Sequence, residues 1–152
     1  LKPVIAGLKA QGIRVSLFMD PLPEVMPAAY ALGADRVELY TEPYARAYAA
    51  GNPRAVAVYA AAARAAQSAG LGVNAGHDLN LGNLASFLCA VPDVLEVSIG
   101  HALVADALET GLAQAERSYL ACMAPATAHT EAGNDLRHRH RRGGAAPGQT
   151  SA

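Results

Sequence analysis

Short β-prone runs alternate with helical stretches from Leu1 to about Met123, and this alternation constrains the fold more than any other feature. Leu1 to Gln11 reads as the end of a helix, closed by Gly12, a residue suited to the left-handed conformation that closes helices. Ile13 to Asp20 alternates and is β-branched, which predicts a strand. Pro21 to Pro23 turns the chain. Glu24 to Leu32 predicts a short Ala-rich helix stopped by Gly33, with Pro27 fitting only its first turn, where a missing amide costs nothing. Arg36 to Tyr40 is the second expected strand, and Thr41 to Asn52 reads as a longer loop with room for one helical turn. Pro53 to Ala69 is the strongest helix, with Val56, Tyr59, Ala60, Ala63 and Ala66 on one face and Gly70 at its end. Gly72 to Gly76 is the third strand, Asn83 caps a short helix through Cys89, and Val94 to Gly100 is the fourth strand. Leu103, Ala107, Leu108, Leu112, Ala115 and Tyr119 trace the stripe of a last helix that ends near Met123.

Strands separated by helices in units this short imply parallel pairing with right-handed crossovers. Four such units are half of a (β/α)8 barrel, which usually needs about 250 residues; the alternative is a complete small open sheet with helices on both faces. A chain of 152 residues that is 52% hydrophobic can bury one core, and its Ala-rich, aromatic-poor composition favours closely packed helices. The expected organisation is α/β over residues 1–123, followed by a basic tail over residues 124–152. The tail lacks apolar periodicity and is expected to be disordered. Its run Arg137-His138-Arg139-His140-Arg141-Arg142 could touch nucleic-acid phosphates, and His138 with His140 could take a metal. A solvated tail is the preferred reading, because neither aromatic interleaving nor a second ligand cluster accompanies the run.

A net charge of −1 gives no overall attraction to nucleic acid or to anionic membranes, and no apolar run approaches the roughly 20 residues of a membrane span. The chain starts at Leu1, and its first residues lack the charged start and apolar centre of a signal peptide, so it is expected to be cytoplasmic and cut from something longer. Cys89 and Cys122 are too far apart for a zinc ribbon or redox pair and are expected to be buried, reduced thiols. Both lysines, Lys2 and Lys9, precede the first strand, which leaves no strand-end amine for a Schiff base. There is no G-x-S-x-G, P-loop or G-x-G-x-x-G.

What remains is a repeated Gly-His dipeptide. Gly76-His77-Asp78 and Gly100-His101 each follow a strand, where parallel α/β folds bind ligands. Glycine lets a ligand approach the backbone, and the first amides of the next helix are unpaired donors beside a positive dipole end, so Gly100-His101 is a candidate phosphate cradle. Tight packing and an ordinary helix start explain the dipeptide equally well. An imidazole, which ordinarily titrates near about pH 6.5, suits His77 to proton transfer, although a lone histidine is more often structural. Asp78 could orient that ring, cap the next turn or offer its amide to an anion. Glu38 is a second acid or base if it faces inward and a surface charge if it does not, and Asn74 is read as satisfying backbone groups. Two histidines are too few for a metal site.

Four segments, Arg14-Val-Ser-Leu-Phe-Met-Asp20, Gly33-Ala-Asp-Arg-Val-Glu-Leu-Tyr-Thr41, Val73-Asn-Ala-Gly-His-Asp-Leu79 and Glu96-Val-Ser-Ile-Gly-His-Ala102, resemble in order and spacing the second half of the pyridoxine 5'-phosphate synthase family. The resemblance runs to about Met123. It implies the C-terminal half of a (β/α)8 TIM barrel and a condensation of 3-amino-2-oxopropyl phosphate with 1-deoxy-D-xylulose 5-phosphate, releasing phosphate and water in vitamin B6 synthesis. It implies small phosphorylated substrates, no cofactor, no nucleic-acid or membrane partner, and a homo-oligomer at full length. By the same resemblance His77 is the proton-donating histidine, and Asp78, Gly100 and His101 hold the aminoketone phosphate, mainly through backbone groups. Position 78 is often glycine in the family, and Glu42-Pro43 departs from the glycine usual after the threonine. The family's other catalytic histidine, its catalytic glutamate and its deoxyxylulose phosphate contacts belong to the first half of the barrel. A phosphate-binding half barrel without catalysis, or a different phosphosugar barrel enzyme, are the alternatives; the missing lysine and the paired Gly-His motifs count against the second.

Overall fold

The computed structural model of the chain describes residues 1–124; the basic run, His138, His140 and the expected disorder of the tail lie outside the described residues. Helix α1 (Lys2–Ala10) leads into strand β1 (Ser16–Met19), followed by α2 (Met26–Ala31), β2 (Arg36–Tyr40), α3 (Glu42–Ala49), α4 (Ala57–Ala69), β3 (Gly72–Gly76), α5 (Leu84–Ala90), β4 (Val94–Ser98) and α6 (His101–Thr110). A further helical segment, α7, covers 112–124. Pro27 lies in the first turn of α2, where its ring is tolerated.

The four strands form one parallel sheet in the order β1-β2-β3-β4. Ser16 pairs with Arg36, Arg36 with Gly72 and Gly76 with Ser98, with one irregularity between Val73 and Asn74. Each crossover therefore steps to the next strand in the same direction, as in a barrel wall. Val37, Leu39, Val73 and Ala75 are fully buried in one cluster with Met26 and Ala29 of α2, Tyr44 of α3, Tyr59, Ala62, Ala63 and Ala66 of α4, Phe87 of α5 and Tyr119 of α7. Alternate residues turn to the other face, because strand side chains alternate with period two. That face carries Phe18, Arg36, Glu38, Asn74 and Glu96. Arg36 donates to Asn74 Oδ1 and pairs with Glu96, both at 3.1 Å, with Arg14 3.7 Å from Glu96. Helices on one face only, over a singly wound sheet, fit part of a TIM barrel rather than an open sheet covered on both sides.

Several expectations need correction. The loop expected over Thr41 to Asn52 contains the eight-residue helix α3: Pro43 occupies its first turn, and Tyr44 and Ala45 supply a buried face. Cys89 is exposed, because the buried face of α5 is set by Leu84 and Phe87, and Cys122 is only partly buried. The last helix is two helices. Gly111 adopts φ +84 and ends α6, so Leu108 and Leu112 are 85% and 64% exposed while Ala115 and Tyr119 are buried. Strands β1 and β4 are shorter than Ile13–Asp20 and Val94–Gly100; Ile99 and Gly100 form a loop. Asn83 does not cap α5: its Oδ1 accepts from the Asn80 amide at 2.9 Å. No helix among the described residues is long and apolar enough to cross a membrane.

Candidate active site

Strand β3 ends in a backbone that side-chain-bearing residues rarely adopt. His77 has φ +89 and Asp78 φ +59, two consecutive non-glycine residues in the left-handed region, which costs on the order of 1–3 kcal/mol each and marks sites where surrounding contacts impose the conformation. Those contacts are present. The Thr41 hydroxyl, fully buried, lies against the carbonyls of Gly76, at 2.7 Å, and His77. The Asp78 carbonyl accepts from Asn83 Nδ2 at 3.2 Å, and Asn83 is itself buried. The Asn83 carbonyl accepts from Tyr44 Oη at 2.9 Å, and the Tyr59 hydroxyl donates to the Tyr40 carbonyl at 3.0 Å while accepting from the Tyr44 amide. Tyrosines of α3 and α4 thereby tie the end of β2 to the loop after β3. Burial pushes the Tyr44 phenol up to about 12, so it stays a donor.

The His77 ring meets Tyr40 edge to face, with centroids 5.1 Å apart, and Tyr40 meets Phe18 at 5.4 Å. His77 Nδ1 is 3.4 Å from Asp78 Oδ1, and both side chains are about half exposed. Glu38 stands on the face of β2 opposite the buried core and lines the cleft at the strand ends. A Cβ on Gly76 would meet the tip of the Glu38 side chain and stand 3.0 Å from Ser98 Cβ, so any side chain here would make Glu38 shift.

At β4 the chain passes through Ile99 and Gly100 into α6, whose N-cap is Gly100 with no side-chain cap and no acidic residue in the first turn. The first amides of α6 are thus left for another acceptor. A Cβ on Gly100 would meet nothing within 4 Å and its φ is negative, so no contact within the described residues demands glycine there. Tyr119 of α7 donates to Asp106 Oδ2 of α6 at 2.7 Å, bracing that helix.

These pieces enclose an open cleft of about 790 Å³ at the carboxyl ends of the strands, where His77, Asp78, Gly100 and His101 meet with Glu38, Phe18 and Ser98 on the wall. All four residues singled out from sequence are in it. Asn74 is not, and its side chain serves Arg36 rather than backbone groups. Sequence reasoning did not place Thr41, Tyr40 or Phe18 at the site and read Asn83 only as a helix cap. Among the described residues no three His, Cys, Asp or Glu side chains converge as metal ligands. Chemically the cleft offers backbone donors at a helix start for an anion, an imidazole, and a carboxylate.

A sequence profile for the family described as pyridoxal phosphate biosynthesis protein PdxJ matches residues 1–125. The pyridoxine 5'-phosphate synthase of Albidiferax ferrireducens is 59% identical over 125 residues, covering 82% of this chain and 50% of the relative. That of Xanthomonas campestris pv. campestris is 60% identical over 126 residues, covering 82% and 49%, and that of Xanthomonas oryzae pv. oryzae is 57% identical over 121 residues, covering 79% and 48%. The chain spans about half the length of the curated relatives it matches.

Proposed function

We propose, because the chain belongs to the pyridoxal phosphate biosynthesis protein PdxJ family, that its cleft is the aminoketone-phosphate half of a pyridoxine 5'-phosphate synthase active site. The reaction joins 3-amino-2-oxopropyl phosphate to 1-deoxy-D-xylulose 5-phosphate and yields pyridoxine 5'-phosphate, phosphate and water. The observation that carries this reading is the meeting of His77, Asp78, Gly100 and His101 around one cleft, at the ends of adjacent parallel strands. Residues 1–123 are then the last four strand-helix units of a barrel.

The aminoketone phosphate sits at the start of α6, against the His101 amide and the Asp78 amide, where the helix dipole favours negative charge. His77 turns Nδ1 toward Asp78, leaving Nε2 to give a proton to the hydroxyl that departs as water. The imine forms between the two substrates, so no lysine is required of the chain. The other catalytic histidine and the catalytic glutamate come from the half of the barrel that the resemblance places before β1. The full-length protein works as a homo-oligomer on small phosphorylated substrates in the cytoplasm.

The second reading is a phosphate-binding half barrel without catalysis, favoured by the fact that the donors at α6 need nothing from beyond β1. Titrating the purified chain with inorganic phosphate, followed by amide NMR, and then supplying both substrates tests the phosphate site that the two readings share. Shifts concentrated at Asp78, Gly100 and His101, with no turnover by the chain alone, are expected. Shifts scattered over the surface, or none, contradict the phosphate site.

A further inference from the structure

We propose that Thr41 is a positioning residue, whose hydroxyl holds the His77–Asp78 turn so that the imidazole and the Asp78 amide face the cleft. The proposal rests on the reading of that cleft as a phosphate and proton-transfer site. Thr41 is the N-cap of α3, where a threonine hydroxyl ordinarily accepts from an amide in the first helical turn; here it makes no such bond. It is turned instead toward the next strand, where the Gly76 and His77 carbonyls converge on it, while its own amide donates to Gly76 at 2.9 Å. A hydroxyl has one proton to donate, and Thr41 itself is fully buried while its contact with the His77 carbonyl is part-buried. Without that proton the His77 carbonyl loses its donor, and the peptide joining two positive-φ residues is released toward ordinary backbone angles. Thr41 therefore gives up helix capping to fix a strained turn on a neighbouring strand.

The test compares Thr41→Val, which removes the hydroxyl at constant shape, with Thr41→Ser, which keeps it, in the full chain. The readouts are the strong intraresidue amide–Hα NOE that positive φ produces at His77 and Asp78, and inorganic phosphate binding by amide shifts. Thr41→Ser is expected to match the parent. Thr41→Val is expected to lose both NOEs and bind phosphate about tenfold more weakly, with the Asp78 amide silent and the Gly100 and His101 amides still shifting. A folded Thr41→Val with parental NOEs and a parental Asp78 shift overturns the proposal. If Thr41→Val does not fold, Asp78→Gly, which relaxes the demand for positive φ, is expected to restore folding; where both fold, it should recover about fivefold or more of the folding constant lost. Failure to fold in both backgrounds, or an equal loss in both, overturns it. A parent that shows no phosphate shifts refutes the reading of the cleft, while the NOEs and the rescue still decide the role of Thr41.

Discussion

At the scale of single residues, the site is built from backbone geometry that only a few side chains permit. Gly76 leaves room for the Glu38 carboxylate, and Gly76→Ala is expected to cost about 1–3 kcal/mol in urea unfolding, since the added methyl meets both Glu38 and Ser98. His77→Asn keeps a polar side chain on the same turn. In an assembled synthase it is expected to lower kcat by about 10²- to 10⁴-fold with phosphate binding intact, a split that steady-state kinetics and phosphate titration resolve. The placement of His77, Asp78, Gly100 and His101 around one cleft was legible in the sequence because each Gly-His dipeptide stands just after a β-prone run, while their roles come from the resemblance alone. Thr41 was not legible, because its partners lie on another strand, more than thirty positions away in sequence, and nothing in a local pattern encodes that pairing.

At the scale of elements, the glycines that end helices were reliable guides: β2 and β3 fall where Gly33 and Gly70 placed them. The misreadings share a cause, in that local punctuation has two meanings. Glu42-Pro43 reads as a loop but is also a permitted first turn, and Gly111 can be carried within a helix or, as here, break it and shift the phase of the apolar stripe. The break matters because Tyr119 crosses it to brace α6. Burial, with the Asp106 hydrogen bond second, pushes the Tyr119 phenol up to about 12 from 10.0. A raised phenol contributes stability that is complete below its unfolded value and is lost as pH rises through the folded one. Tyr119→Phe is expected to cost about 1–2 kcal/mol at neutral pH, and to remove part of the stability loss between 10.0 and about 12 in a series of urea midpoints. The N-terminal end of the sheet behaves oppositely. Hydrogen bonds from Lys9 and the Val15 amide hold Asp35 below its ordinary 3.8, so its contribution is present above that value and lost as pH falls through the lowered one. Asp35→Asn should lower the urea midpoint at neutral pH, with the difference from the parent vanishing in acid.

At the scale of the whole molecule, the sheet has a core on one face and a polar ion network on the other, with β1 and β4 both at its edges. Exposed edges are templates for further pairing, and a polar face with a cleft at its carboxyl end is what one half of a barrel presents to the other. The central claim is that this chain contributes the phosphate cradle and a proton donor to a site completed by the preceding half of a barrel. The most direct measurement is pyridoxine 5'-phosphate formation when the purified chain is combined with the first half of the Xanthomonas campestris relative and both substrates. Turnover that requires both halves and collapses with His77→Asn is the expected result. A stable complex of the two halves without turnover, or turnover indifferent to His77→Asn, would contradict it.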